Sequence, residues 1–192
     1  APTGRLMQSL GFSEIAGPYI ATAAGFLLTA GLLFTFLRPE PREIGAALGA
    51  FERGDVEEAP PRTVRGMLGD ANVRAAVTCI VTAHMVMVGL MQMTSLHMHG
   101  HDHSLASISL VFSSHTMGMF AFSVVSGWLS DRWGRKPVAT LGAVILLASC
   151  ALAPLSPNVL PIAFALFLLG LGWNLCYVAG SALLSDALTT AE

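Results

Sequence analysis

The chain has 192 residues, of which 54% are hydrophobic and 11% are charged, whereas soluble domains carry roughly a quarter charged residues. This composition argues against a soluble protein, and a formal net charge of −2 excludes the basic surface that binding to nucleic acid requires. The three cysteines lie far apart within apolar runs, without metal-ligand spacing or the even number of a disulfide framework, so we interpret them as small buried side chains.

Long stretches without Asp, Glu, Lys or Arg predict helices that cross a membrane. They hold 23, 27, 28 and 49 residues, between Glu14 and Arg38, Arg74 and Asp102, Asp102 and Asp131, and Lys136 and Asp186. A helix needs roughly 20 residues to cross a hydrocarbon core of about 30 Å, so the longest stretch holds two spans, divided at residues 154–158. The runs lack the strict alternation of a barrel strand and are too long for one. The sequence therefore predicts an all-α membrane protein with five transmembrane helices, at residues 17–37, 72–97, 105–130, 137–153 and 158–184.

Basic residues set the predicted orientation, because Lys and Arg accumulate in cytoplasmic loops. Nine of the ten lie at residues 38–74 and 132–136, and an even number of spans separates these two loops. We therefore place both loops in the cytoplasm, and we expect a multi-pass protein of a bacterial plasma membrane. The N-terminus of the chain then lies outside and the C-terminus inside, with residues 97–103 and 154–158 facing outward.

Residues 38–71 are predicted to form a cytoplasmic linker, because they hold four prolines and an acidic run. Within it, apolar residues recur at helical spacing and predict an amphipathic helix at residues 43–53: Ile44, Ala47, Leu48 and Phe51. That helix either lies in the membrane interface or packs against neighbouring loops. The chain lacks an initiator Met and stops just after an apolar run, so we expect it to be part of a longer protein.

The turn between the third and fourth spans is dense in residues with special backbone or charge properties. Gly134 permits a tight turn, Pro137 suits the first turn of the next helix, and Gly127 lets a neighbouring backbone approach closely. Asp131 is an acid at the membrane boundary, able to meet a cation or the positive N-terminal end of an adjacent helix. Such a contact exists in one helix arrangement and breaks in another, as a conformational latch requires.

This turn resembles motif A of the major facilitator superfamily, whose pattern is G-x-L-x-D-R-x-G-R-K. The matching residues are Gly127, Leu129, Asp131, Arg132, Gly134, Arg135 and Lys136. The sequence departs from the family pattern at Ala139, where a larger aliphatic residue is usual. The resemblance implies that Asp131 and Arg135 hold a cytoplasmic gate in one of its states.

Family members have twelve helices in two halves of six, and the surroundings of the motif indicate which part this chain represents. Two spans and a long charged linker precede the motif, so the resemblance implies helices 6 to 10 of a partial major-facilitator fold. Residues 1–37 are then the last helix of the N-terminal half with its preceding outer loop. Residues 38–71 are the central linker, and residues 72–192 are helices 7 to 10 of the C-terminal half. Helices 1 to 5, 11 and 12 would be missing partners in the same polypeptide.

The function that this resemblance implies is secondary active transport of a small organic solute by alternating access, which includes drug or metabolite efflux. Polar side chains inside the spans mark candidate solute contacts, because such groups are costly in lipid and usually face a cavity or a partner. His84 and Gln92 share a broad helix face, and Trp173 and Tyr177, four residues apart, can stack on an organic solute. The candidate cavity residues are His84, Gln92, Trp173, Asn174 and Tyr177. In the alternative interpretation, His84 and Trp173 are packing devices between helices.

A second candidate cavity face lies on the third span. His115, Met119, Ser123 and Ser126 repeat the helical spacing found around His84. Either this face lines the cavity, or His115 donates a hydrogen bond to a carbonyl or hydroxyl group of a neighbouring helix.

Alternating histidines in the predicted outer loop suggest a rival function, that of a metal-ion transporter or sensor: His97, His99, His101 and His103. Alternate residues need not converge on one ion, and a polar, pH-sensitive loop is the other interpretation. We assign no metal site, no cofactor and no enzyme activity, since the sequence offers no pairing of a nucleophile with a base. The expected partners are the lipid bilayer, a small solute and, as a further candidate, a coupling proton, whose carboxylate carrier would lie in the missing helices.

Overall fold

The structure is a computed structural model that describes residues 7–13, 16–38, 44–45 and 62–188. The chain divides into two units, residues 1–59 and residues 60–192. The boundary between the units falls inside the predicted linker. All the described elements are helices, which confirms the predicted all-α fold class.

The first unit contains one long helix, α1, at Ala16–Phe36, where the sequence predicts a span at residues 17–37. It is long and apolar enough to cross a membrane over Tyr19–Phe36. The hydroxyl groups of Thr29 and Thr35 donate to carbonyl groups one turn earlier in the same helix, at 2.9 and 2.7 Å, so neither needs a partner from the surroundings. Of the predicted amphipathic helix at residues 43–53, only residues 44 and 45 are described, and both are helical; the rest lies outside the described residues.

The second unit contains the other four candidate spans. Its helices are α2 (Val64–Met67), α3 (Ala71–Gly100), α4 (Leu105–Phe120), α5 (Ser123–Trp133), α6 (Arg135–Leu152) and α7 (Val159–Ala187), with a short 3-10 turn at Ala153–Leu155. With α1, five segments of the described residues are long and apolar enough to cross a bilayer. This number confirms the prediction.

Polar residues fix where two of these helices begin. The Asp70 carboxylate accepts a hydrogen bond from the backbone N–H of Asn72 at 2.7 Å, ahead of α3. The Ser104 hydroxyl oxygen accepts one from the backbone N–H of Ser107 at 3.2 Å, ahead of α4. Each cap satisfies a donor that the first turn of a helix leaves without an intrahelical partner.

Helix α7 forms the centre of the second unit and packs against α3, α4 and α6. Glycines set the closest approach: a Cβ added to Gly170 would lie 2.2 Å from the His115 carbonyl oxygen, and one added to Gly118 would lie 2.3 Å from that of Phe167. Helix backbones that meet this closely need small residues at the contact. Large apolar side chains around the crossing, including Leu166 and Leu169, are fully buried.

The third predicted span, residues 105–130, is not one continuous helix. It breaks at residues 121–122 into α4 and α5, although together they still form one candidate span. At the break the Ser123 hydroxyl donates to the Phe120 carbonyl oxygen at 3.0 Å. A serine that bonds back to the preceding turn competes with the backbone ladder and bends a helix.

Two contacts show which loops share a face of the second unit. The Arg62 guanidinium donates to the Ala187 carbonyl oxygen at 3.0 Å, so the segment before α2 meets the end of α7. An imidazole nitrogen of His103 bonds the Pro157 carbonyl oxygen at 2.7 Å, which brings the loop before α4 beside the loop before α7. These loops lie at opposite ends of α7, and this is the pairing of loops that the basic residues predict.

Candidate functional site

One guanidinium joins the ends of three helices at the face where α7 terminates. Arg135, the first residue of α6, donates from Nη1 to the carboxylate of Asp131 in the last turn of α5. Its Nε donates to Asp186 Oδ2, near the end of α7, at 3.1 Å, and Nη1 also reaches the Ser130 hydroxyl at 3.4 Å. We call Asp131, Arg135 and Asp186 the ion-pair cluster. Because both carboxylates are well exposed, water screens these pairs and each adds little to stability.

Sequence reasoning missed Asp186. The sequence does contain a sign of its location, because Asp186 is the acid that ends the last charge-free stretch. The predicted orientation places that end of the fifth span on the same side of the membrane as the motif. Nothing in the sequence indicated that it would approach the basic turn rather than solvent.

The other residues of the motif have distinct surroundings. Gly134 has φ +95°, a conformation that side chains rarely adopt, and it separates α5 from α6. The Arg132 guanidinium lies over the Trp128 ring, 5.7 Å from its centroid. Leu129 packs against the buried cluster of Val138, Leu175 and Ala179, and Lys136 is exposed. A Cβ on Gly127 would meet no atom within 4 Å among the described residues, so the close approach predicted there has no partner in this part of the chain.

Asn174 lies in a fully bonded polar cluster. It is 3% exposed. Its Nδ2 donates to the Met119 carbonyl oxygen at 2.7 Å and to the Ser123 hydroxyl at 2.9 Å, and its Oδ1 accepts from the Ser126 hydroxyl at 2.5 Å. We call Ser123, Ser126 and Asn174 the closed cluster. The sequence suggests a solute-facing position for Asn174. In the structure its side chain instead joins α7 to α4 and α5.

The break between α4 and α5 explains why an amide is needed at this position. The last carbonyl groups of a helix have no intrahelical donor. Met117 O accepts from the backbone N–H of Ala121 at 2.9 Å, Phe120 O accepts from Ser123, and Met119 O accepts from Asn174. An unpaired carbonyl group in a bilayer costs several kcal/mol, so the closed cluster makes the break tolerable.

His115 is also turned towards α7 and is 3% exposed. Its Nδ1 lies 3.1 Å from the Leu166 carbonyl oxygen, and the Ser114 hydroxyl donates to the Ala163 carbonyl oxygen at 2.8 Å. The second face predicted from the sequence is therefore a face of α4 and α5 that contacts α7: His115 and Ser126 are buried there, and Met119 and Ser123 are half-buried.

Three of the five candidate cavity residues meet on the exposed side of α3 and α7. Trp173 Nε1 donates to His84 Nδ1 at 3.3 Å, and the Trp173 ring stacks on Tyr177 with centroids 4.9 Å apart and planes 17° apart. His84 is exposed and Tyr177 is 45% exposed. We call His84, Trp173 and Tyr177 the open cluster.

Gln92 does not join the open cluster. It is exposed on α3, eight residues after His84 and therefore about 12 Å further along the helix axis. That separation is beyond hydrogen-bond reach, although both side chains belong to one helix.

The histidine loop has a local structural explanation. Asp102 follows the end of α3 and has φ +56°. Its backbone N–H donates to the His99 carbonyl oxygen, and the backbone N–H of His103 donates to the Met98 carbonyl oxygen. These two bonds make a Schellman motif. The His97 and His101 rings are in contact, 4.4 Å apart, but among the described residues no three His, Cys, Asp or Glu side chains are placed to hold a metal ion. The geometry does not favour the metal alternative.

A mainly apolar cavity of about 990 Å³ lies between α3 and α6, with α7 at its base. Arg74 and Lys136 line it near the face that carries the ion-pair cluster. It contains all three cysteines: Cys176 is buried, and Cys79 and Cys150 are half-buried. All three are free thiols, but only Cys176 is buried as the sequence predicts for all of them.

Comparison with known proteins identifies the family. A family model described as Major Facilitator Superfamily matches residues 3–192. The chain belongs to this superfamily. Membership confirms the resemblance seen at residues 127–136 and the interpretation as a partial fold of a multi-pass membrane protein. Members of this family are transporters, which confirms that the chain is not an enzyme.

Several bacterial proteins align with the chain. It is 33% identical to the uncharacterized MFS-type transporter YdeG of Bacillus subtilis over 98% of the chain and 44% of that protein. It is 29% identical to the riboflavin transporter RfnT of Brucella anthropi, over 92% of the chain and 42% of that protein. The multidrug resistance protein MdtL of Klebsiella pneumoniae is 39% identical over 86 residues, 43% of the chain and 21% of that protein. The chain thus spans less than half the length of these relatives. No solved structure matches it.

Proposed function

We propose that the chain is the middle part of a secondary transporter that moves a small organic solute across a bacterial plasma membrane by alternating access. The ion-pair cluster carries this proposal. Its three members belong to the ends of three helices, so a movement of one of these helices relative to the others would break and remake the contacts. Exposed ion pairs are weak, which suits a contact that must open in every transport cycle.

Relatives support a small organic solute. One is named as a riboflavin transporter and another as a multidrug resistance protein, and both names indicate organic molecules. Within the proposed transporter, His84, Trp173 and Tyr177 contact the solute, Gln92 lies further along the same pathway, and Asn174 supports the helix that carries Trp173. A coupling proton is a further proposed partner.

The proposal also assigns the helices and their orientation. Residues 1–37 and 72–192 correspond to helix 6 and helices 7 to 10, with residues 38–71 as the cytoplasmic central linker. The remaining helices of the same polypeptide complete the two halves. The face that carries the ion-pair cluster is cytoplasmic, and the histidine loop is outside.

Transport is tested with the full-length protein in a bacterial host. Everted membrane vesicles with and without the protein are energised, and the amounts of small organic solutes inside them are compared by mass spectrometry. We expect the amounts of some solutes to depend on the protein, and this dependence to fall by up to about fivefold in Asp131→Asn, because the carboxamide cannot pair ionically with Arg135 and an exposed ion pair contributes up to about 1 kcal/mol. Collapse of the proton gradient tests the coupling ion, and the sign of the difference distinguishes import from export.

Asp102→Asn is the matched control, since it makes the same chemical change in the opposite loop. It should leave the solute difference intact, and both variants should insert into the membrane in wild-type amounts. Undiminished transport by Asp131→Asn would overturn the role of the ion-pair cluster, and identical vesicle contents with and without the protein would overturn transport itself.

Orientation is tested by thiol labelling of intact cells with a membrane-impermeant reagent. Trp133→Cys should react only after the membrane is opened, and His101→Cys should react in intact cells. Reaction of both from the same side would contradict the proposed topology.

A further inference from the structure

The tautomer of His84 follows from its partner. An indole N–H only donates hydrogen bonds, so the 3.3 Å contact from Trp173 Nε1 requires His84 Nδ1 to be unprotonated. In a neutral imidazole with an unprotonated Nδ1, the proton is on Nε2. The second ring nitrogen of His84, an exposed residue, is therefore an N–H donor.

The same contact orders an aromatic surface beside that donor. Trp173 is 9% exposed; His84 accepts the hydrogen bond from its Nε1, and Tyr177 stacks on its ring. Tyr177 remains 45% exposed although one ring face covers Trp173. The open cluster thus combines a flat aromatic ring and a hydrogen-bond donor in one preorganised group.

The location of the open cluster requires a polar partner. His84 lies near the middle of α3 and Trp173 near the middle of α7. An exposed imidazole at that depth is costly against lipid hydrocarbon, whereas the exposed residues of α6, such as Val144 and Leu147, suit lipid. The side of the unit that carries His84 must therefore meet something with a polar group.

We propose that the open cluster binds a planar aromatic or heteroaromatic solute that carries a hydrogen-bond acceptor on its edge. The ring of the solute stacks on Tyr177, and its acceptor takes the His84 Nε2 proton. This inference rests on the proposed function, because it names the class of solute that the transporter accepts. A nonplanar solute would lose the stacking, and a planar solute without an acceptor would leave the donor unpaired.

The test is equilibrium binding to the purified full-length protein in detergent, with three probes of similar size. Coumarin is planar and carries a carbonyl acceptor, naphthalene is planar without an acceptor, and octahydrocoumarin carries the carbonyl on a puckered ring. We expect coumarin to bind about five- to tenfold more tightly than either of the others, as one hydrogen bond or one stacked ring would give.

Variants separate the two contacts. His84→Leu should weaken coumarin about fivefold and leave naphthalene within about twofold, while His84→Gln, which keeps an N–H donor, should restore most of the coumarin affinity. Tyr177→Leu should weaken coumarin and naphthalene alike by about fivefold, and Tyr177→Phe should retain most of both. Phe120→Leu is the matched control, since Phe120 is an exposed aromatic residue on α4, and it should change neither.

Equal affinities for the three probes, or no binding of coumarin, would overturn the proposal, including the case in which another helix of the polypeptide covers the open cluster. An equal loss of coumarin and naphthalene in His84→Leu would overturn the role of the donor. If vesicle contents still depend on the protein while coumarin selectivity is absent, only the solute class is wrong. If coumarin binds as expected but the solute contents of the vesicles do not depend on the protein, the binding site is supported and the proposed transport function is contradicted.

Discussion

Trp173 and Asn174 are neighbours in the chain, yet their side chains enter two different polar clusters. Trp173 belongs to the open cluster with His84 on α3, where part of the polar surface stays exposed. Asn174 belongs to the closed cluster with Ser123 and Ser126 on α5, where every polar group has a partner. A helix turns about 100° per residue, so adjacent side chains meet different helices. The difference teaches that a polar residue inside a span marks either helix packing or a binding surface, and that its partners decide which.

The largest expected effect comes from breaking the closed cluster. Asn174→Leu leaves the Met119 carbonyl group unpaired in the bilayer, and we expect it to lower the free energy of unfolding by about 3 kcal/mol. The measurement is unfolding of the full-length protein in mixed detergent micelles with increasing SDS. Gln92→Leu makes a comparable change at an exposed amide and should alter stability by less than about 0.5 kcal/mol. Equal losses would mean that burial does not separate the two amides.

Close approach of α7 to α4 should matter somewhat less. A Cβ at Gly170 would lie 2.2 Å from a backbone carbonyl oxygen, which no side-chain rearrangement can relieve, so Gly170→Ala should destabilise the protein by about 2 kcal/mol. Gly100→Ala at the end of α3, where a Cβ meets nothing within 4 Å among the described residues, should change stability by less than about 0.5 kcal/mol. Thermal unfolding in detergent measures both. If Gly170→Ala unfolds at the same temperature as the wild type, α4 and α7 are further apart than in the structure.

The smallest effect on stability is expected at the ion-pair cluster. Asp186 is well exposed where it meets Arg135, so Asp186→Asn should cost less than about 1 kcal/mol. The loss should shrink further at high salt, because salt screens exposed charges. SDS unfolding at two salt concentrations measures it. A large loss that salt does not change would indicate a buried structural pair and contradict a contact that opens in each transport cycle.

Much of the fold could be predicted from the sequence. Charge-free stretches gave five spans because no helix carries several charges through hydrocarbon, and the special residues at 127–136 indicated the family. The break at residues 121–122 could not be predicted in the same way. It depends on Asn174, 55 residues away from Met119, and spacing within one span does not report a partner on another.

The candidate site was predictable only in its parts. The sequence by itself determined that His84, Trp173, Asn174 and Tyr177 lie within spans, and that Asp131 and Arg135 lie together in a short turn, because both statements depend on local composition. Tertiary structure alone decided that Asn174 is buried while His84 is exposed, and that Asp186 reaches Arg135. The physical reason is that hydropathy fixes how deep a residue lies along a helix, whereas the packing of α7 against its neighbours fixes which side chains it meets.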